Sequence, residues 1–155
     1  DATMKIAVQC EDFDLNFELA RMRESRQDIG ALVSFVGLVR DLNDGETVSQ
    51  LTLEHYPGMT EKLLQEIVDQ ANSRWNLLGT SVIHRVGKLL PCDQIVFVGV
   101  ASQHRADAFE AAQFVMDYLK TKATFWKKVD QDGQQHWVES KDSDQAASQR
   151  WTTDD

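Results

Sequence analysis

Residues 95 to 101, Ile-Val-Phe-Val-Gly-Val-Ala, are the longest uninterrupted apolar stretch in this 155-residue chain, counting Gly99 as part of it. Seven residues fall far short of the roughly 20 that a helix needs to cross a bilayer. No membrane span is expected. A run this short and this apolar is a strand buried on both faces, so other elements must cover it from above and below.

The neighbouring segments can supply that cover. Residues 106 to 120 place Phe109, Ala112, Met116 and Leu119 on one side of a helix. Leu63, Leu64, Ile67, Val68, Ala71 and Trp75 form a second helical stripe that ends before Gly79, with Thr60 as its cap and Glu61 in its first turn. A shorter helix is read over 14 to 24 from Leu15, Leu19 and Met22. Further strands are read over 4 to 10, 30 to 40, 48 to 56 and 80 to 90, the last joined to the apolar strand by Pro91-Cys92-Asp93. Gly37 inside the 30 to 40 strand marks a bulge or a close approach by something else. Phe125 to Val129 and Gln135 to Glu139 flank Asp130-Gln131-Asp132-Gly133 and read as a late hairpin. The expected class is α+β: a single domain over residues 1–155 with one mixed sheet, two long helices and that hairpin. The stretch 141–155 is expected as a polar tail, mobile or docked on a partner.

Charge narrows the function. Sixteen Lys and Arg against 25 Asp and Glu give −9, a field that repels phosphate backbones and anionic lipid, so neither nucleic acid nor a membrane is an expected partner. Cys10 and Cys92 stand 82 positions apart without CxxC or Cys/His spacing and are read as two buried thiols in a reducing compartment. The residues around Asp1-Ala2-Thr3-Met4-Lys5 resemble no export signal, which makes the cytoplasm the expected location.

Against that acidic background, Lys120, Lys122, Lys127 and Lys128 fall within nine positions. Lysines beyond a helix C-terminus are usually solvated, so the cluster alone reads more readily as an exposed face than as a site. Ser102-Gln103-His104-Arg105 lies between the apolar strand and a helix start, where free N–H groups favour an anion. Arg40 ends the 30 to 40 strand. His55, His84 and His136 have no i, i+4 partner and are read as core or surface hydrogen-bonding groups, with no metal assigned. Trp75, Trp126, Trp137 and Trp151 are read as packing or interface anchors. No P-loop, Rossmann or Gly-x-Ser-x-Gly fingerprint is present, and no cofactor is expected.

Five stretches stand out: Leu53-Glu54-His55-Tyr56-Pro57-Gly58-Met59, Val82-Ile83-His84-Arg85-Val86-Gly87, Ile95-Val96-Phe97-Val98-Gly99-Val100, Ser102-Gln103-His104-Arg105-Ala106 and the segment from Met116 to Lys127 that contains Tyr118-Leu119-Lys120 and Phe125-Trp126-Lys127. Together they resemble the catalytic (large) subunit family of molybdopterin synthase. They keep the family order and spacing over most of residues 30 to 140. The resemblance implies a hammerhead-type α/β fold and a cytoplasmic sulfur transfer in molybdenum cofactor biosynthesis, converting cyclic pyranopterin monophosphate (precursor Z) to molybdopterin. It also implies a small ubiquitin-like partner whose C-terminal Gly-Gly carries a thiocarboxylate, and a homodimer of this chain within a heterotetramer. By matching position, Lys120 and Lys127 are the catalytic lysines, and Arg40, His104 and Arg105 bind the substrate. Lys128, Val129 and Val39 line the same pocket. Leu38 departs from the pattern, where the family often has a basic residue.

Preorganised cations that gather a thiocarboxylate, a cyclic phosphate and a developing oxyanion fit this reading, with Lys120 also a candidate for proton transfer. Two rivals are a phosphate-ester hydrolase using His104 as general acid, and a non-catalytic module that docks an acidic tail. Neither accounts for the extended match.

Overall fold

The computed structural model describes residues 2–24, 26–43, 46–47, 50–122, 125–131, 134–138, 142–149 and 151–152. In chain order the elements are β1 (Thr3–Gln9), α1 (Leu15–Arg23), β2 (Ala31–Leu38), β3 (Leu42–Asn43), β4 (Glu46–Thr47), β5 (Gln50–His55) and α2 (Met59–Arg74). They continue with β6 (Leu77–Arg85), β7 (Gly87–Leu89), β8 (Gln94–Ser102), α3 (Arg105–Lys122), β9 (Phe125–Gln131), β10 (Gln134–Val138) and α4 (Asp142–Gln149).

The strands form two four-stranded sheets rather than one, in orders β1-β6-β8-β2 and β10-β9-β5-β7, with β3 and β4 as a small ribbon. The apolar strand β8 sits inside the first sheet, antiparallel to both β6 and β2. Its alternate side chains supply two cores. Val96, Val98 and Val100 face α2 and α3 together with Val82, while Phe97 and Ala101 face α1 with Ile83, Phe13 and Met22. Burial on both faces, as its composition requires, is what makes β8 the centre of the fold. α1 is tied down by Glu18, a buried carboxylate that accepts from Lys5 at 2.9 Å and Arg21 at 3.3 Å.

The segment read as one strand over 80 to 90 divides. β6 ends at Arg85, Gly87 takes φ +87°, and β7 then pairs with β5 in the second sheet. A side chain at that φ is strained, so glycine is the residue that lets one segment serve both sheets. Gly37 is the expected close approach: a Cβ there would lie 2.7 Å from Val96 Cγ1, and the register of β2 on β8 shifts just beyond it.

Four local expectations are corrected. The residue at the N-cap of α2 is Gly58, not Thr60; Thr60 is buried two positions inside, its hydroxyl donating to the Tyr56 carbonyl at 3.0 Å. Phe109 is 61% exposed; the buried face of α3 is carried instead by Ala108, Ala111, Phe114, Val115 and Leu119 among others. Cys10 and Cys92 are exposed free thiols, not buried ones. Part of the expected tail is ordered against the body: α4 packs on α3, and Trp151 is 4% exposed in a box made with Trp75 and Phe114 at 5.6 and 5.5 Å. Its indole N–H donates to the buried carboxylate of Asp117 at 2.6 Å, and Arg74 donates to its carbonyl. The amphipathic indole supplies both the apolar fill and the donor that Asp117 requires.

Candidate active site

His84 is the residue around which the site assembles. It lies one position before the end of β6 and pairs with Val96, which turns it to the α2/α3 side of the first sheet with Val82 and Val98. Three residues later the chain crosses to the second sheet at Gly87, so the end of β6 abuts the end of β5 and the start of β9. There the Phe125 ring lies flat on the His84 imidazole, centroids 3.8 Å apart and planes 19° apart, with His55 on β5 at 6.4 Å from Phe125. His84 Nδ1 is 2.9 Å from the Arg85 carbonyl oxygen. A carbonyl only accepts, so Nδ1 carries the proton.

Burial pushes the His84 imidazole down to a pKa of about 4; the Arg85 hydrogen bond is the next influence and opposes the shift, while Lys120, Lys127 and His55 each add a smaller push downward. The ring is therefore neutral at physiological pH. Because both lysines disfavour its charged form, the ammonium groups from the last turn of α3 and from β9 lie within electrostatic reach of one imidazole.

The cluster of four lysines read from the sequence does not act as one. Lys122 lies over the Tyr118 ring at 4.4 Å. On β9, Phe125 and Lys127 pair with His55 and Leu53, while Lys128 pairs with Thr52 and so takes the opposite face of the strand. Alternation along a strand separates adjacent lysines that composition lumps together. Val129 pairs with Leu51 through its backbone.

Arg40 leaves the first sheet at the same end as His84, because Gly37, Val96 and His84 form one row across β2, β8 and β6. It is exposed and anchored through Val39, whose N–H donates to the Asp93 carbonyl at 2.9 Å and whose carbonyl accepts from Cys92 N–H at 2.8 Å. The Val39 side chain itself is buried with Leu51 and Leu89, so it supports Arg40 rather than lining an open surface.

His104 and Arg105 are exposed at the other end of the sheet. β8 runs nine residues from Gln94, paired with Leu38 two positions before Arg40, to Ser102, a span of roughly 27 Å. α3 then begins at Arg105 and returns over the sheet to bring Lys120 back to the His84 end. One copy of the chain thus gathers Lys120, Lys127 and Arg40 at one end and holds His104 and Arg105 at the opposite end. Among the described residues no group of three or more His, Cys, Asp and Glu is placed to hold a metal ion. The sequence marked His84 only as a core or surface hydrogen-bonding group, with no sign that both lysines act on it; the alternation that puts it beside Val82 and Val98 was the available clue.

A family model described as MoaE protein matches residues 8–122. The chain belongs to the MoaE family. Among its MoaE relatives, the molybdopterin synthase catalytic subunit of Escherichia coli strain K12 is 54% identical over 150 residues, covering 97% of this chain and 99% of the relative. The solved molybdopterin biosynthesis MoaE protein from Burkholderia ambifaria MC40-6 superposes with a TM-score of 0.83 at 49% identity, covering 97% of this chain and 99% of that one. The crystallised molybdopterin synthase from Staphylococcus aureus gives 0.78 at 30% identity, over 85% of this chain and 95% of its own. The family resemblance and the α+β class read from the residues are both borne out. No helix among the described residues is long and apolar enough to cross a membrane.

Proposed function

We infer that the chain is the catalytic subunit of a molybdopterin synthase. It transfers sulfur from the C-terminal thiocarboxylate of a small ubiquitin-like subunit to cyclic pyranopterin monophosphate, building the dithiolene of molybdopterin. The observation that supports this reading is that Lys120 and Lys127 both act electrostatically on one buried, neutral His84, in a chain of the MoaE family whose net charge is −9. Cations held together in an anionic molecule store repulsion that an incoming anion relieves. The thiocarboxylate and the cyclic phosphate are such anions, and the charge that develops as sulfur adds to the pterin is a third.

Lys120 and Lys127 hold that charge, and Arg40 at the same rim binds the phosphate. His104 and Arg105, roughly 27 Å away along β8, reach the same substrate from a second copy of the chain. Each site is then built by two protomers, and the small subunit's tail enters between them. The protein works in the cytoplasm, a setting that suits the exposed free thiols Cys10 and Cys92.

The test is to mix the chain with a thiocarboxylated small subunit and the cyclic pterin and follow dithiolene by mass spectrometry. Lys120→Ala and Lys127→Ala each lower product formation about a hundredfold or more and leave folding intact, since both side chains are exposed. No dithiolene from the unaltered chain rejects the function. Full activity in either variant rejects the lysine assignment.

A further inference from the structure

The two lysines lie only seven positions apart, but on consecutive elements that belong to different layers. Lys120 rides on α3, which packs on the first sheet, and Lys127 sits on β9, a strand of the second sheet. Seven positions of chain bound their separation, and within that bound it is set by what holds the start of β9 against the end of β6. The ring pair at that seam is His84 and Phe125, one from each sheet, stacked at 3.8 Å.

We propose that His84 is a positioning residue whose stack on Phe125 is the joint that sets Lys127 against Lys120. Phe125 and Lys127 share one face of β9, two residues apart, so fixing the ring fixes the lysine's origin. Backbone pairing alone leaves this end weakly held, because β9 begins at Phe125 and its partner β5 ends opposite it at His55. The imidazole is itself fixed. Its Nδ1–H donates to the Arg85 carbonyl, it is 6% exposed, and its strand lies between β1 and β8. Its neutrality also matters, since a charged ring here would push both ammonium groups away. The charged and titratable groups acting on it are Lys120 from α3, Lys127 from β9 and His55 from β5.

This inference rests on the lysine assignment above and adds to it a residue that need not touch substrate. Stacked rings report themselves by non-additivity. His84→Ala and Phe125→Leu should each lower kcat about tenfold, as expected for a slight misplacement of a catalytic group. The pterin KM and the affinity for the small subunit should stay within about twofold, because the surfaces that bind them are unchanged. The double variant should be no slower than the slower single variant. His84→Phe, which keeps a flat ring and loses the Nδ1 hydrogen bond, should recover most of the rate.

Multiplicative losses in the double variant overturn the proposal, as does a normal rate in His84→Ala. A His84→Phe variant as slow as His84→Ala also overturns it, because the imidazole would then be moving a proton. Phe125 is only half-buried at a strand end, so Phe125→Leu carries the test even if His84→Ala fails to fold. Amide hydrogen exchange gives a readout independent of turnover. The β9 amides paired with β5 should exchange faster in Phe125→Leu while those between β6 and β8 keep their protection, and unchanged β9 exchange rejects the joint. Failure of the function itself would appear separately, as absence of dithiolene from the unaltered chain.

Discussion

Two inactive chains should make one active enzyme when they are paired. Take Lys127→Ala and Arg105→Ala. On α3, Arg105 and Lys120 are 15 residues apart (120 − 105), about 22 Å along the helix axis. No side chain bridges that distance, so a site that uses both ends of α3 draws them from different copies. In a two-fold dimer, a mixed pair then has one site carrying both lesions and one carrying neither. Random pairing of equal amounts makes half the dimers mixed, so activity should return to about a quarter of that of the unaltered enzyme. The two variants are co-expressed or refolded together, and dithiolene is measured per mole of dimer against each variant alone and an unaltered control. If both lesions fell in one site built by a single chain, no pairing would restore an intact site. A mixture no better than the average of the two separate variants would refute the shared site.

The remaining predictions concern groups whose environments are unusual. The His84 pKa falls from 6.5 to about 4 on folding, so the unfolded chain takes up a proton that the folded chain refuses. Its contribution is complete above pH 6.5 and shrinks as pH falls toward 4, by up to about 3 kcal/mol; urea unfolding at pH 7 and 4.5 should show a smaller difference in His84→Phe than in the unaltered chain, and equal differences would contradict this. Trp151→Ala removes a side chain that fills a box and satisfies a buried carboxylate, and should cost about 3 kcal/mol of unfolding free energy. Trp151→Phe keeps most of the fill but not the N–H donor, and should cost about 1–2 kcal/mol. Both Cys10 and Cys92 should react with a thiol reagent without denaturant; two thiols that react only after unfolding would contradict their exposure.

The layered core was legible because its signals are local. An apolar run as dense as β8 has to lie inside a sheet, and the stripe on α2 has to face one. What sequence pattern did not report was membership. Alternation told that residues 80 to 90 were extended, yet only the positive φ of Gly87 reveals that they serve two sheets. The same limit affected the lysines: proximity along the chain grouped Lys120, Lys122, Lys127 and Lys128, whereas the helix turn and the strand pleat send them different ways. Phe109 fell outside the core because a helical stripe can be drawn through several sets of apolar residues, and packing selects one. Trp151 was legible as an anchor but not as one that binds its own chain, since its partners Trp75, Phe114 and Asp117 lie 76, 37 and 34 positions away (151 − 75, 151 − 114, 151 − 117). The helix read over 106 to 120 already put Arg105 at its start and Lys120 at its end, but the site residues carried over by resemblance were assigned to one pocket without weighing the roughly 22 Å between them.

Gathering ammonium groups at one rim of an acidic molecule also governs the kinetics of encounter. At low salt, where the Debye length is about 30 Å, an approaching anion meets the repulsion of nine excess negative charges before the rim can attract it; in physiological salt that length falls to about 8 Å and the outer repulsion is largely screened. Added salt weakens the outer barrier before it weakens the inner well, so moderate ionic strength should quicken the arrival of an anionic tail rather than slow it.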